Sequence, residues 1–222
     1  MIKDGCLVDI LNGVCKEPRT RIFKAAIEEF AQRSYMGART RAIAAKAKVN
    51  HAAISYYFGG KNSLYMEIIS QITDLVSSYN KPFEERYVEV GDNPAAAKEL
   101  LVDFIMSKVA PESEITDIWR CLLLIIIHGE IGDRTGAYEI LYKKIFEPSL
   151  DFTKKLISVV SCNAISDENA KIMAHMLFGQ IQIFNYSRIS FKRTMAWKSF
   201  EESEILILRE NLEAIIKKTF NL

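Results

Sequence analysis

The stretch ISYYFGGKNSLY, residues 54–65, decides how this chain is read. A glycine pair followed by a lysine and by amide and hydroxyl side chains is suited to holding a phosphate. That phosphate belongs either to a bound nucleotide or to a nucleic-acid backbone. A nucleotide-binding P-loop requires GxxxxGK[ST] between a strand and a helix. Here Asn62 stands where the magnesium-binding hydroxyl is needed, and Ser55 replaces the first glycine. The preceding HAAISYYF, residues 51–58, has helical rather than strand spacing. The nucleotide reading fails on all three points.

A polyanionic backbone fits the surroundings better. Upstream lie a short Ala-rich segment, RTRAIAAKA, and a tight connection, KVN. Two short helices joined by a tight turn describe a helix-turn-helix. Ala42, Ile43, Ala44 and Ala47 keep the first helix slim, Val49 plugs the gap, and Ile54 and Phe58 anchor the second helix inward. Asn50 is a good N-cap, which presents His51, Ala52 and Ala53 outward. Gly59 and Gly60 end this helix. Lys61 opens the next one, at an N-terminus whose free N–H groups and dipole favour an anion.

With these residues in register, residues 19–66 resemble the DNA-binding domain of the TetR family of transcriptional regulators. The resemblance runs through TRIFKAAIEEFAQRSY and TRAIAAKAKVNHAAISYYFGGKNSLY almost without gaps. A weaker one covers about 115–160, through WRCLLLIIIHGEIGDRTGAYEILYKKIFEP. The family resemblance implies an all-α fold with a helix-turn-helix domain over 1–66 and a ligand-binding and dimerisation domain over 67–222. It also implies a homodimeric repressor, released from a palindromic DNA operator by a small apolar or amphipathic effector. Carried over position by position, Thr40 and Arg41 fall where the first motif helix reaches phosphate, and His51, Ala52 and Ala53 where base edges are read. Tyr56, Tyr57 and Lys61 fall at backbone-clamping positions. Arg39, Lys48, Asn50 and Ser55 complete the candidate DNA-binding set. Arg39 reads equally well as a solvated charge, His51 also as a plain surface residue, and the two tyrosines also as packing aromatics. Lys48 and Ser34 replace glycines usual in the family, and Ala38-Arg39 replaces a frequent Thr/Ser pair. A left-handed backbone at Lys48 carries a side-chain penalty of ~1 kcal/mol.

Charge agrees with this reading. Residues 1–66 carry a net charge of +6 and the remainder −5, and five basic residues but no acidic one lie between Arg39 and Lys61. A basic end on an acidic body suggests that one end meets a polyanion. With 49% hydrophobic and 26% charged residues over 222 positions, the chain is expected to be an ordinary soluble globular protein. Its longest apolar run, Cys121–Ile127, is far short of the ~20 residues that span a bilayer. Asp4 and Asp9 interrupt the amino-terminal segment, so no signal peptide is expected. The four cysteines are widely spaced with no CxxC, consistent with reduced thiols in a cytoplasmic protein.

Helical periodicity continues along the rest of the chain. An amphipathic helix follows Pro18, carrying Ile22, Phe23, Ile27 and Phe30 inward and ending at Gly37. The helix opened by Lys61 is expected to run towards Tyr79, with a linker-like region from Pro82 to Pro94. Further helices are expected at about 95–110, 114–130, 135–160, 167–188 and 202–219. Pro111, Gly132 and the turn at Asn163–Ser166 separate them, and Pro148 kinks or divides the long one. Ser166 caps the fourth of these, and Lys217 and Lys218 suit the dipole at the end of the last.

Candidate ligand-binding residues are Trp119, His128, Tyr138, Tyr142, Phe178 and Gln182, for a mostly apolar pocket among the middle helices. Candidate dimer-interface residues are Met173, Leu177, Ile181, Leu208, Leu212 and Ile215, on the stripes of the last two long helices. No metal or cofactor is expected. His128 and Glu130 two apart do not share a helix face, and no ExxH pair exists. No catalytic residues are assigned, since GxSxG and a nucleophile–base pattern are absent. A helical small-molecule carrier without operator binding is the alternative reading, and an enzyme a third.

Overall fold

In the computed structural model the described residues are 5–109, 117–132 and 135–220, and all of their regular structure is helical. The expected separator Pro111 and the start of the helix expected from 114 lie outside them, as does the Glu130 side chain. The helices are α1 (Cys6–Leu11), α2 (Pro18–Gly37), α3 (Thr40–Lys46), α4 (Ala52–Phe58) and α5 (Lys61–Val90). They continue with α6 (Pro94–Met106), α7 (Asp117–Gly132), α8 (Ala137–Leu141), a π-helical turn (Tyr142–Phe146) and α9 (Glu147–Val160). The last three are α10 (Asp167–Tyr186), α11 (Arg188–Met195) and α12 (Glu202–Thr219). The all-α expectation holds.

Two compact units divide the chain: Met1–Tyr79 with Thr116–Phe146, and Asn80–Ile115 with Glu147–Leu222. This packing division differs from the functional boundary expected at 66/67. The first unit extends past residue 66 because α7 packs on α2, and Ile118, Leu122, Ile125 and Leu141 join the core built by Phe23, Phe30, Ile54 and Leu64. In the second unit, α6, α9, α10 and α12 surround Leu100, Phe104, Leu156, Ala174 and Leu212.

Three local expectations are corrected. Helix α5 does not stop near Tyr79; it passes through Pro82 to Val90. Proline removes one helical hydrogen bond, but Phe83, Tyr87 and Val90 beyond it pack against the second unit's core, and that burial carries the helix on. Helix α11 was not expected: none of its residues is buried, so it has no apolar stripe to betray it. The short α1 was not expected either; Leu7 and Ile10 are buried, and the Leu7 N–H donates to Gln71 Oε1 at 2.8 Å. Pro148 acts as expected on the long segment. The π turn just before it holds Lys144, the residue whose carbonyl an α-helical proline ring would strike.

Candidate nucleic-acid interface

The end of α2 sets the interface. Helical geometry breaks at Ser34, with φ 55° and ψ 175°, a region adopted essentially only by glycine. The break turns the chain so that Tyr35 lies against Phe30 and Tyr65, with ring centroids 6.0 and 5.0 Å away. Lys61 Nζ then sits 4.6 Å from the Tyr35 ring centroid. Burial lowers the Lys61 pKa from its ordinary value, partly opposed by the Glu29 carboxylate.

Helix α3 begins without a side-chain cap at Arg39, where the family pattern carries a Thr or Ser. Glu29 instead fixes the Arg39 backbone that leads into it. Its buried carboxylate accepts the Arg39 backbone N–H at 3.4 Å and pairs with Arg33 Nε at 3.3 Å. Glu29 escaped the sequence reading, although it falls on the same helical stripe as Ile22, Ala25 and Ala26, where a carboxylate needs a reason.

The turn forms as expected. Lys48 adopts φ 54°, the left-handed conformation that costs a non-glycine residue ~1 kcal/mol. Asn50 caps the next helix, its Oδ1 accepting the Ala52 N–H at 3.0 Å. Ile43, Ala44, Ala47, Ile54 and Phe58 are buried, with Val49 half-buried against them. Gly59 ends α4 in the left-handed region at φ 76°, so Lys61 starts α5 immediately afterwards.

What remains outside is one polar and basic face. Arg39, Arg41, Lys48, Asn50, His51, Ala52, Ser55, Tyr56 and Tyr57 are exposed. Thr40, Ala53 and Lys61 are half-buried; Ala53 packs partly against the core rather than standing fully outward. Tyr56 is 82% exposed and meets Tyr57 edge-on at 4.9 Å. Thr40 Oγ1 lies 2.9 Å from His51 Nε2, which ties the starts of the two motif helices together. Lys46 pairs with Glu28 at 2.7 Å. Among the described residues, Arg39, Arg41 and Lys48 have no carboxylate partner. Three exposed cations are therefore left unneutralised on a face bearing a capped helix and an aromatic pair.

The other candidate residues are divided between the units. Trp119, His128, Tyr138 and Tyr142 belong to the first unit, and Phe178 and Gln182 to the second. His128 Nδ1 is buried without a hydrogen-bond partner among the described residues, and Gln182 Oε1 accepts from Asn185 Nδ2 at 3.2 Å. A groove of about 450 Å³ on the second unit, lined by residues from 84–87 and 147–155, takes in none of the six. Among the dimer candidates, Leu177, Ile181, Leu208 and Leu212 are buried in their own unit's core, Met173 is half-buried, and only Ile215 is exposed. The apolar positions that α10 leaves open are Ile172, Met176 and Ile183; those of α12 are Leu206, Ile207 and Ile215. Among the described residues no group of three His, Cys, Asp or Glu side chains could hold a metal ion, and no helix is long and apolar enough to cross a membrane.

A helix-turn-helix presenting an unpaired basic face, carried on an all-helical chain, defines a helix-turn-helix DNA-binding protein. Residues 22–68 match the family described as "Bacterial regulatory proteins, tetR family", and residues 99–220 match "HTH-type transcriptional dual regulator CecR, C-terminal domain". The chain belongs to the TetR family of transcriptional regulators and carries a CecR-type C-terminal domain. It is 26% identical over 204 residues to the HTH-type transcriptional dual regulator CecR of Shigella flexneri, spanning 89% of this chain and 88% of the relative. Among solved structures, it resembles the transcriptional regulator FadR of Bacillus subtilis in complex with stearoyl-CoA. That match has TM-score 0.55 and 17% identity, covering 88% of this chain and 96% of the other. It also resembles AibR in complex with isovaleryl coenzyme A and operator DNA, with TM-score 0.53 and 19% identity, covering 76% and 85%.

Proposed function

We propose that this regulator is a ligand-responsive homodimeric repressor, acting in the cytoplasm and released from a palindromic operator by a small apolar or amphipathic effector. The observation that carries the DNA half of the proposal is the face left unneutralised by Arg39, Arg41 and Lys48, beside a capped recognition helix. Phosphates offer those cations the counter-charge that the described residues withhold, and each neutralised phosphate releases condensed counterions. His51 and Ala52 read base edges, with Ala53 at their border. Tyr56, Tyr57 and Lys61 hold the backbone, with Arg39, Thr40, Arg41, Lys48, Asn50 and Ser55 around them. Functionally the chain divides at 66/67: the motif binds DNA, and the remainder senses the effector and dimerises.

The effector half draws support from the two solved relatives, which are complexes with isovaleryl coenzyme A and stearoyl-CoA. Dimerisation through α10 and α12 uses the exposed Ile172, Met176, Ile183, Ile207 and Ile215 as its contact face, because Leu177, Ile181, Leu208 and Leu212 already fill their own unit's core. Selection of genomic fragments by the purified protein tests the reading. It should enrich an inverted repeat with half-sites about one helical turn or somewhat more apart. Well-folded protein that enriches no inverted repeat overturns it.

A further inference from the structure

Within the second unit a buried polar cluster has a cation at its centre and, among the described residues, no anion. Lys108 follows the C-terminus of α6, and its half-buried side chain lays Nζ 4.1 Å from the Phe104 ring centroid and 6.0 Å from that of Phe83. The ammonium donates to Asn80 Oδ1. Asn80 is itself buried, and its Nδ2 donates to the buried Ser149 Oγ at 3.2 Å, which fixes its oxygen towards Lys108. On the other side, Asn185 Nδ2 donates to the Lys108 carbonyl at 2.8 Å and to Gln182 Oε1 at 3.2 Å. Every polar partner in this cluster is neutral. The carboxylate on the last turn of α6, Asp103, is occupied by Arg86 at 2.9 Å and Arg209 at 2.6 Å. Lys108 therefore has no ion pair among the described residues.

A cation withdrawn from water is costly unless it is paired. The cost shows in Lys108, whose pKa burial pulls from 10.5 to about 8; at neutral pH the group still carries its proton. Among the described residues no carboxylate pairs with it, and its surroundings are aromatic. Phe104 meets Phe83, Phe152 and Phe178 at ring-centroid distances of 5.3, 4.7 and 6.2 Å. Resting on the reading of the chain as a ligand-responsive regulator, we propose that Lys108 is the anchor for the carboxylate of an amphipathic effector. The apolar body of the effector lies against the phenylalanines around Phe104. Asn80 and Asn185 hold the lysine in place, and Gln182 supplies a neutral hydrogen-bonding group beside it. Pairing a charged donor with a carboxylate gives a stronger bond than a neutral partner can, so the lysine selects the anion over its neutral analogue.

Binding of decanoate and 4-phenylbutyrate, each against its corresponding alcohol, tests this by calorimetry on the full-length protein at pH 7. The wild type should bind at least one acid about tenfold or more tightly than its alcohol. Lys108→Met, close in volume and free of the buried charge, should lose that preference while retaining its far-ultraviolet spectrum and melting cooperatively. Lys108→Arg, which keeps the charge, should retain part of it. No preference in the wild type, or a preference that persists undiminished in Lys108→Met, overturns the anchor. The same compounds titrated against the protein bound to its selected inverted repeat keep the two proposals apart. Loss of carboxylate selectivity with operator binding intact removes only the anchor, whereas failure to select any operator removes the regulatory reading.

Discussion

The break in α2 is a stored strain that one substitution should release. Ser34 is held at φ 55° and ψ 175°, a conformation costing a non-glycine residue of order 1–3 kcal/mol. Ser34→Gly removes that cost but adds ~0.4–1 kcal/mol of unfolded-state entropy. The net gain should be about 1 kcal/mol. Lys48 provides the internal comparison: with φ 54° and the Lys48 and Val49 N–H groups donating to the Ala45 and Ala44 carbonyls, it sits as the ordinary left-handed residue of a helix C-terminus, whose penalty of ~1 kcal/mol nearly cancels glycine's entropic cost. Lys48→Gly should therefore be close to neutral. The chain has two tryptophans, Trp119 in the first unit and Trp197 in the second. In a Trp197→Phe background, urea unfolding followed by Trp119 fluorescence reports on the unit that contains both strained residues. The midpoint should rise for Ser34→Gly, with an unchanged m-value, and barely move for Lys48→Gly. Ser34→Ala is the control, since alanine pays the same backbone cost as serine. A Ser34→Ala variant as stable as Ser34→Gly, or a Lys48→Gly variant that gains as much, would refute strain as the cause.

Three further outcomes follow from the same geometry. Lys61→Ala should weaken binding to all duplexes alike and lower the salt slope by about one, whereas His51→Ala should change base preference within the half-site; affinity measured against salt concentration and a panel of half-site variants separates the two. Met176→Glu, at a position 62% exposed in the monomer, should give folded monomers in sedimentation and weaken operator binding, while Leu177→Glu should lower the melting temperature by burying an unpaired carboxylate. Lys108 should leave a signature in stability against pH: its folded pKa of about 8 lies below its ordinary 10.5, so between these values the unfolded chain holds the proton more tightly. The penalty is complete below pH 8 and relieved as pH rises towards 10.5, by at most about 3 kcal/mol. Relative to Lys108→Met, wild-type stability should climb across that interval, and parallel curves would show that the group is not desolvated.

The helix-turn-helix was legible residue by residue because its determinants are local. Asn50 caps a helix two residues on, Gly59 ends it in a conformation other residues resist, and the acid-free run from Arg39 to Lys61 needs no tertiary partner to be basic. Ser166 and the lysine pair at 217–218 mark helix ends for the same reason. Periodicity could show that α10 and α12 are amphipathic, but not what covers their apolar stripes. Leu177, Ile181, Leu208 and Leu212 could have faced a second copy or their own unit, and only packing assigns them to their own unit. The same holds for Pro82, a helix breaker by local rules whose cost is overridden by the burial of Phe83 and Tyr87 beyond it. Nor could spacing show that Glu29, ten residues away, holds the Arg39 backbone N–H, or that Asn80, Lys108 and Ser149 converge. Hydrogen bonds between residues 28 and 69 positions apart leave no periodic trace in the sequence, because the chain between them sets neither their distance nor their direction.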